Sequence, residues 1–202
     1  MKQLISLLLL LTMLSACSIP PKSNQPATRT FRLAPAISAV NTTQQPLNIH
    51  LYIPQISVTP GLDNSHIVLL KSPYEQDFIA HSQWPDELPV YLHAVIMEAL
   101  SASNRFASVS DQLVNSQHNH KLLIKVSAFQ AELSEAPPET AAVRVTLEAF
   151  LLNSKSQQLL LHKRYQASKE GIEKRVSVLV KALNQALGEV LGQLMHDLTS
   201  RQ

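Results

Sequence analysis

Cysteine is almost absent from this 202-residue chain, and Cys17 is the only one. Once that residue is accounted for, nothing remains to form a disulfide, and the fold must be held by a hydrophobic core. Glycine is confined to Gly61, Gly171, Gly188 and Gly192, which excludes the glycine-rich loops that cradle phosphates. No Gly-x-Ser-x-Gly elbow, His-Glu-x-x-His pair or Cys-x-x-Cys pair occurs. The sequence therefore carries no local signature of a serine hydrolase, a zinc peptidase or a redox dithiol. Charges of either sign nearly balance, 17 Lys plus Arg against 15 Asp plus Glu. No basic cluster is interleaved with aromatics, so nothing points to nucleic acid as a partner. After Cys17 no run is apolar for the roughly 20 residues that a membrane-spanning helix needs.

What is present begins at the N-terminus. Lys2 precedes an apolar run from Leu4 to Leu14, then Ser15, Ala16 and Cys17. A basic residue and a short leucine run form a secretory signal layout, and Leu14-Ser15-Ala16-Cys17 fits the lipobox of bacterial lipoproteins. The small residues admit the peptidase, and the Cys17 thiol accepts a diacylglyceryl group. Residues 1–16 are thus expected to be a signal peptide and residues 17–28 a lipidated start and flexible tether, polar and rich in proline. Two or three acyl chains, at about 0.8 kcal/mol per buried methylene, give stable anchoring to a membrane. Ser18 follows the cysteine where Asp tends to hold a lipoprotein at the inner membrane, so the expected location is the outer membrane, facing the periplasm.

Residues 29–202 are read as one periplasmic domain. Phe31–Leu33 suits a short first strand. Leu47, Ile49, Leu51 and Ile53 alternate with polar neighbours, as on a half-buried strand. The run from His66 to Lys71 suits a strand covered on both faces, and the stretch after Tyr74 reads as a polar connection up to Trp84. Asp86 is placed to cap a helix carrying Pro89 in its first turn and ending near Asn104. A short strand at Phe106–Val109 follows. Three alternating segments around residues 122–129, 143–149 and 159–166, linked by Ser134–Thr140 and Asn153–Gln157, predict an antiparallel meander. Ile172–Thr199 predicts a long final helix with Leu183, Leu187, Val190, Leu191 and Leu194 in its apolar stripe. The expected fold is α+β, a mostly antiparallel sheet packed against two helices, the C-terminal one long.

These features in this order resemble the ABC-type transport auxiliary lipoprotein family, whose best-known type is the paraquat-inducible protein C lipoprotein. The likeness spans the lipobox and nearly all of the mature chain. It is most specific where Pro60-Gly61-Leu62-Asp63 is followed by Ile67-Val68, then Trp84, then Glu87-Leu88 opening a helix. Lys71 and the apolar pair Leu69-Leu70 depart from the family's usual pattern. The resemblance implies a non-catalytic partner of a transporter built from an ABC ATPase, a permease and a substrate-binding protein of the mammalian-cell-entry type. It implies hydrophobic cargo, such as lipids, and docking of that binding protein at the outer membrane.

Outside the lipobox, candidate functional residues are few. His118-Asn119-His120 brings two imidazoles together without the third ligand that a metal site needs, and reads as a polar turn. No spacing selects a catalytic triad, so neither enzymatic activity nor a cofactor or metal is expected. Trp84, the only tryptophan, suits a core anchor, or a contact residue beside Tyr74. Gly188 and Gly192 sit inside the final helix, where each costs about 1 kcal/mol against Ala. Helical stepping puts them opposite the apolar stripe, on a flat strip that would admit a second copy of the chain or another element. Two other readings remain open at this point: a carrier with an apolar cavity between sheet and helices, and an envelope hydrolase.

Overall fold

The computed structural model describes residues 26–37, 45–113, 118–134 and 140–200. The signal segment, Cys17, most of the tether and the Pro137-Pro138 link lie outside the described residues. The described strands are β1 (Arg29–Thr30), β2 (Leu47–Tyr52), β3 (Ser57–Val58), β4 (His66–Ser72), β5 (Glu75–Gln83), β6 (Phe106–Ser110), β7 (His120–Leu133), β8 (Ala141–Asn153) and β9 (Leu159–Ile172). The helices are α1 (Leu88–Ala102) and α2 (Val176–Thr199), with a 3₁₀ turn at Pro60–Leu62.

The meander β7–β8–β9 is antiparallel, as its hairpin links require. The other edge of β7 is shared by three strands in turn. β2 pairs with its start, β3 with its middle and β4 with its end, all parallel to it. Residues 47–72 thus behave as one long strand cut into three. Pro54 and Pro60 stand in the two gaps, where a residue without an N–H interrupts the ladder. β6 lies outside β2, while β5 and then β1 lie outside β4. The expected α+β fold and long final helix are therefore present. The longest ladders are antiparallel, and the parallel pairings, apart from that of β1 with β5, come from the segmented strand, which no local pattern announces.

Several boundaries moved. β5 replaces the expected polar connection. Its residues are mostly exposed, so no apolar alternation marked it, and the tight turn at Pro73-Tyr74 pairs it with β4. β1 is Arg29–Thr30, two residues before the expected strand, although the Phe31 N–H still reaches the Gln83 carbonyl, 2.9 Å away. Glu87, not Asp86, precedes α1. The Asp86 carboxylate accepts the Glu87 N–H, 2.7 Å away, and the Leu88 N–H is held by the Asn64 carbonyl at 2.9 Å. Ile172 ends β9 instead of opening the final helix.

Both helices cover one face of the sheet. The β8–β9 register sets Leu147 opposite Tyr165 and Val145 opposite Ala167, and this face meets α2. Leu183, Leu187, Val190, Leu191 and Leu194 of α2 are buried there, each contributing about 1.5–3 kcal/mol relative to exposure. Trp84 stands 5.7 Å, edge to face, from Phe129 and 6.4 Å from Tyr91 of α1, which joins the α1 side to the same core. On the face away from the helices, Arg144 forks onto Glu132 at 2.8 and 3.0 Å, and Gln130 donates to the same carboxylate at 2.9 Å. The Arg144 hydrogen bond holds the Glu132 carboxyl below the usual carboxylate range against the opposing pull of burial. Nearby, the His162 ring stacks on Phe150 at 4.2 Å and bonds to Glu148 at 2.7 Å.

Candidate functional site

Residues 31–37 leave β1 and cross both helices. The Leu33 N–H donates to the Tyr91 hydroxyl on α1, 2.7 Å away. The Ala34 N–H donates to the Asn184 side-chain carbonyl on α2. The Asn184 amide nitrogen donates to the Val180 carbonyl of its own helix at 2.9 Å, and approaches the Arg32 carbonyl at 3.5 Å. Asparagine is a modest helix former, and here it serves as a hook for a passing chain. Four residues further on, Gly188 lies directly under that chain. A Cβ on residue 188 would stand 2.5 Å from the Ala36 carbonyl oxygen. At Gly188, where a flat strip open to a second copy or another element was expected, the space is taken by this chain's own N-terminal segment. The position is buried, not on an open strip opposite the apolar stripe.

Gly192 differs. Nothing lies within 4 Å of where its Cβ would be. It forms part of the floor of an open groove of about 1130 Å³, walled by Ala34 and Ala36 on one side and by Lys163 and Lys169 of β9 on the other. Both lysines are tied across to α2. Lys163 reaches Asp197 at 2.6 Å, and Lys169 pairs with Glu189. The Tyr165 hydroxyl donates to the same Asp197 oxygen at 2.9 Å. Burial pulls the Asp197 carboxyl up, but the hydrogen bonds from Lys163 and Tyr165 and the lysine charge outweigh it, and it titrates below its ordinary value. The result is an open surface braced by two ion pairs around the bare backbone of Gly192. It is suited to receive another surface.

The other residues singled out in the sequence do not gather here. Trp84 is 1% exposed and lies in the core, so as placed it offers no contact surface. Tyr74 is 99% exposed at the β4–β5 turn. The two stand at opposite ends of β5, roughly 25 Å apart along the hairpin, and not side by side. In the His118–His120 segment the central asparagine does the bonding. Asn119 accepts the His50 N–H at 2.8 Å and donates to the Asn48 carbonyl at 2.8 Å, clipping β2 to the start of β7. Among the described residues no three His, Cys, Asp or Glu side chains converge as metal ligands. His50 Nδ1 and Ser108 Oγ are 2.9 Å apart on the exposed β2–β6 pairing. A triad further needs a carboxylate orienting the imidazole, and none bonds to His50 among the described residues. Among the described residues no helix is long and apolar enough to cross a membrane.

No curated protein matches this chain. Solved structures do. A Xanthomonas campestris protein of family DUF330 superposes with a TM-score of 0.70 at 20% identity, covering 87% of this chain and 94% of its own. An uncharacterized protein gives 0.63 at 18% identity, covering 77% and 96%. The PelC dodecamer protein from Paraburkholderia phytofirmans gives 0.40 at 12% identity, covering 79% and 95%. At these identities the first two establish the fold alone. The family model described as "ABC-type transport auxiliary lipoprotein component" matches residues 31–195, which takes in the crossing segment, all of α1 and all but the last turn of α2. The chain belongs to the ABC-type transport auxiliary lipoprotein family.

Proposed function

We propose that this protein is a lipid-anchored, non-catalytic subunit of an ABC-type transport system, which holds a mammalian-cell-entry-type substrate-binding protein at the periplasmic face of the outer membrane. The cargo of such a system is a lipid or another hydrophobic molecule. The observation that carries the reading is the family match over residues 31–195 in a chain whose residues 14–17 spell a lipobox. The geometry agrees with recognition as the task. The groove over α2 is open, and two of its lysines are paired with acidic residues of the helix, an arrangement that suits docking better than bond making. A carrier of hydrophobic ligands is less well supported, because this groove is open instead of enclosed between sheet and helices.

The test is affinity capture of the intact lipidated protein from envelope extracts, with mass spectrometry of what it retains. Recovery of a mammalian-cell-entry-type protein with its permease supports the reading. Recovery of a cell-wall enzyme in their place overturns it.

A further inference from the structure

We propose that the β4–β5 turn is where the folded domain meets the bilayer, with the Tyr74 ring seated among the lipid headgroups. The proposal rests on the reading of Cys17 as the acylated residue.

Tyr74 is the most exposed large hydrophobic side chain among the described residues. A phenol pairs an apolar ring with a polar tip, the combination that collects at membrane–water interfaces. The turn that presents it is held in shape. Ser72 pairs with Glu75 across the hairpin, the Ser72 hydroxyl accepts the Tyr74 N–H at 3.3 Å, and Pro73 fixes its own backbone angle. Beside the turn lies a cleft of about 410 Å³ lined largely by Leu70, Pro73 and Leu133. The adjacent charges are spoken for. Lys71 lies 2.5 Å from Asp77 and 3.4 Å from Glu75. The contact is therefore with the apolar–polar boundary of the lipid and not with an anionic headgroup.

The direction of the chain selects a bilayer over a protein partner. β1 runs parallel to β5, with Arg29 beside Ser82. Followed back toward Cys17, β1 points along β5 toward the turn. Gln83 lies beside His66 and Glu75 beside Ser72 of β4, so this part of the hairpin covers roughly 20 Å. The twelve residues from Arg29 back to Cys17 span at most about 40 Å. The acyl chains and Tyr74 can therefore reach one surface. Two contacts in place of one would limit how the domain tilts over the membrane.

The test uses the full lipidated protein in phosphatidylethanolamine vesicles, with and without brominated phosphatidylcholine, whose bromines quench tryptophan on contact. Wild type carries only Trp84, buried at the other end of β5, and serves as the internal reference. Tyr74→Trp is expected to float with the vesicles and to lose emission in the brominated ones, where wild type does not. Floating protein with identical emission in both vesicles overturns the proposal, and so does a blue shift that ignores bromine and appears only on adding a protein partner. Failure of wild type to float would remove the Cys17 reading, and the proposal with it. That result is distinguishable, since it precedes any fluorescence difference.

Discussion

Gly188 and Ala36 touch so closely that the helix residue has no room for a side chain. Gly188→Ala gains up to about 1 kcal/mol in helix propensity. It also forces a methyl group against a backbone carbonyl that cannot swing away, an overpacking cost of about 1–3 kcal/mol. The expected net is a loss of stability. Gly192→Ala, with open space above it, is expected to gain roughly 0.5–1 kcal/mol. Urea midpoints of the two variants should move in opposite directions, and a shared direction would show that the crossing segment does not press on the helix.

Asn184→Ala removes the acceptor of the Ala34 N–H and one tie to residue 32. A loss of about 1–3 kcal/mol is expected, the cost of leaving a polar backbone group without its partner. Amide exchange at Ala34 should accelerate while exchange in the middle of β8 stays slow. Equal acceleration at both sites would mean that the segment is not held locally.

Trp84 and Tyr74 offer a sharp contrast. Trp84→Ala empties a fully buried site and should cost about 3–5 kcal/mol. Tyr74→Ala touches nothing in the core, and its effect should stay within about 0.5 kcal/mol. Thermal unfolding of both variants checks the pair, and a Tyr74→Ala loss as large as that of Trp84→Ala would place the turn in the fold's framework.

Acid should weaken the domain through two carboxylates. Glu132 and Asp197 both titrate below their ordinary values in the folded protein. A carboxyl depressed on folding adds stability that is fully present above its unfolded pKa, near 4, and disappears as pH falls through the lower folded value. Stability measured from pH 7 down to pH 3 should drop below about pH 4. The double variant Glu132→Gln, Asp197→Asn should be less stable at pH 7 and show a flatter acid limb. An unchanged limb would assign the acid sensitivity elsewhere.

Cys17→Ser should leave the signal peptide uncleaved and the protein without acyl chains. Fractionation then finds a precursor of higher mass, with loss of the mature lipidated form. A mature-sized variant still in the membrane pellet would end the anchoring account.

Legibility in the sequence tracked how each element is stabilised. The meander strands and α2 bury one face along their own length, so Leu147, Val145 and Leu183 through Leu194 carried their period openly. β5 was invisible because both its faces are largely exposed and only pairing with β4 orders it. The parallel pairings of β2, β3 and β4 were invisible for another reason, since they join residues some 60 positions apart in a register no local pattern encodes. Of the candidate residues, Gly188 was found for the right physical reason, close approach, while the approaching partner proved to be the chain itself. Asn184 went unnoticed, because one asparagine on a helix flank does not show what passes over it.

The segmented strand also sets an order of events as the chain emerges N-terminus first. Residues 47–72 are made well before residues 120–133, the long strand against which all three segments lie. During that interval their hydrogen-bonding edges have no template, whereas the meander and the last helix are close neighbours in sequence and can assemble as soon as they appear. Such distant pairing is slow to form and vulnerable to aggregation, so the strand edges of the early half stay exposed until the late half arrives to receive them.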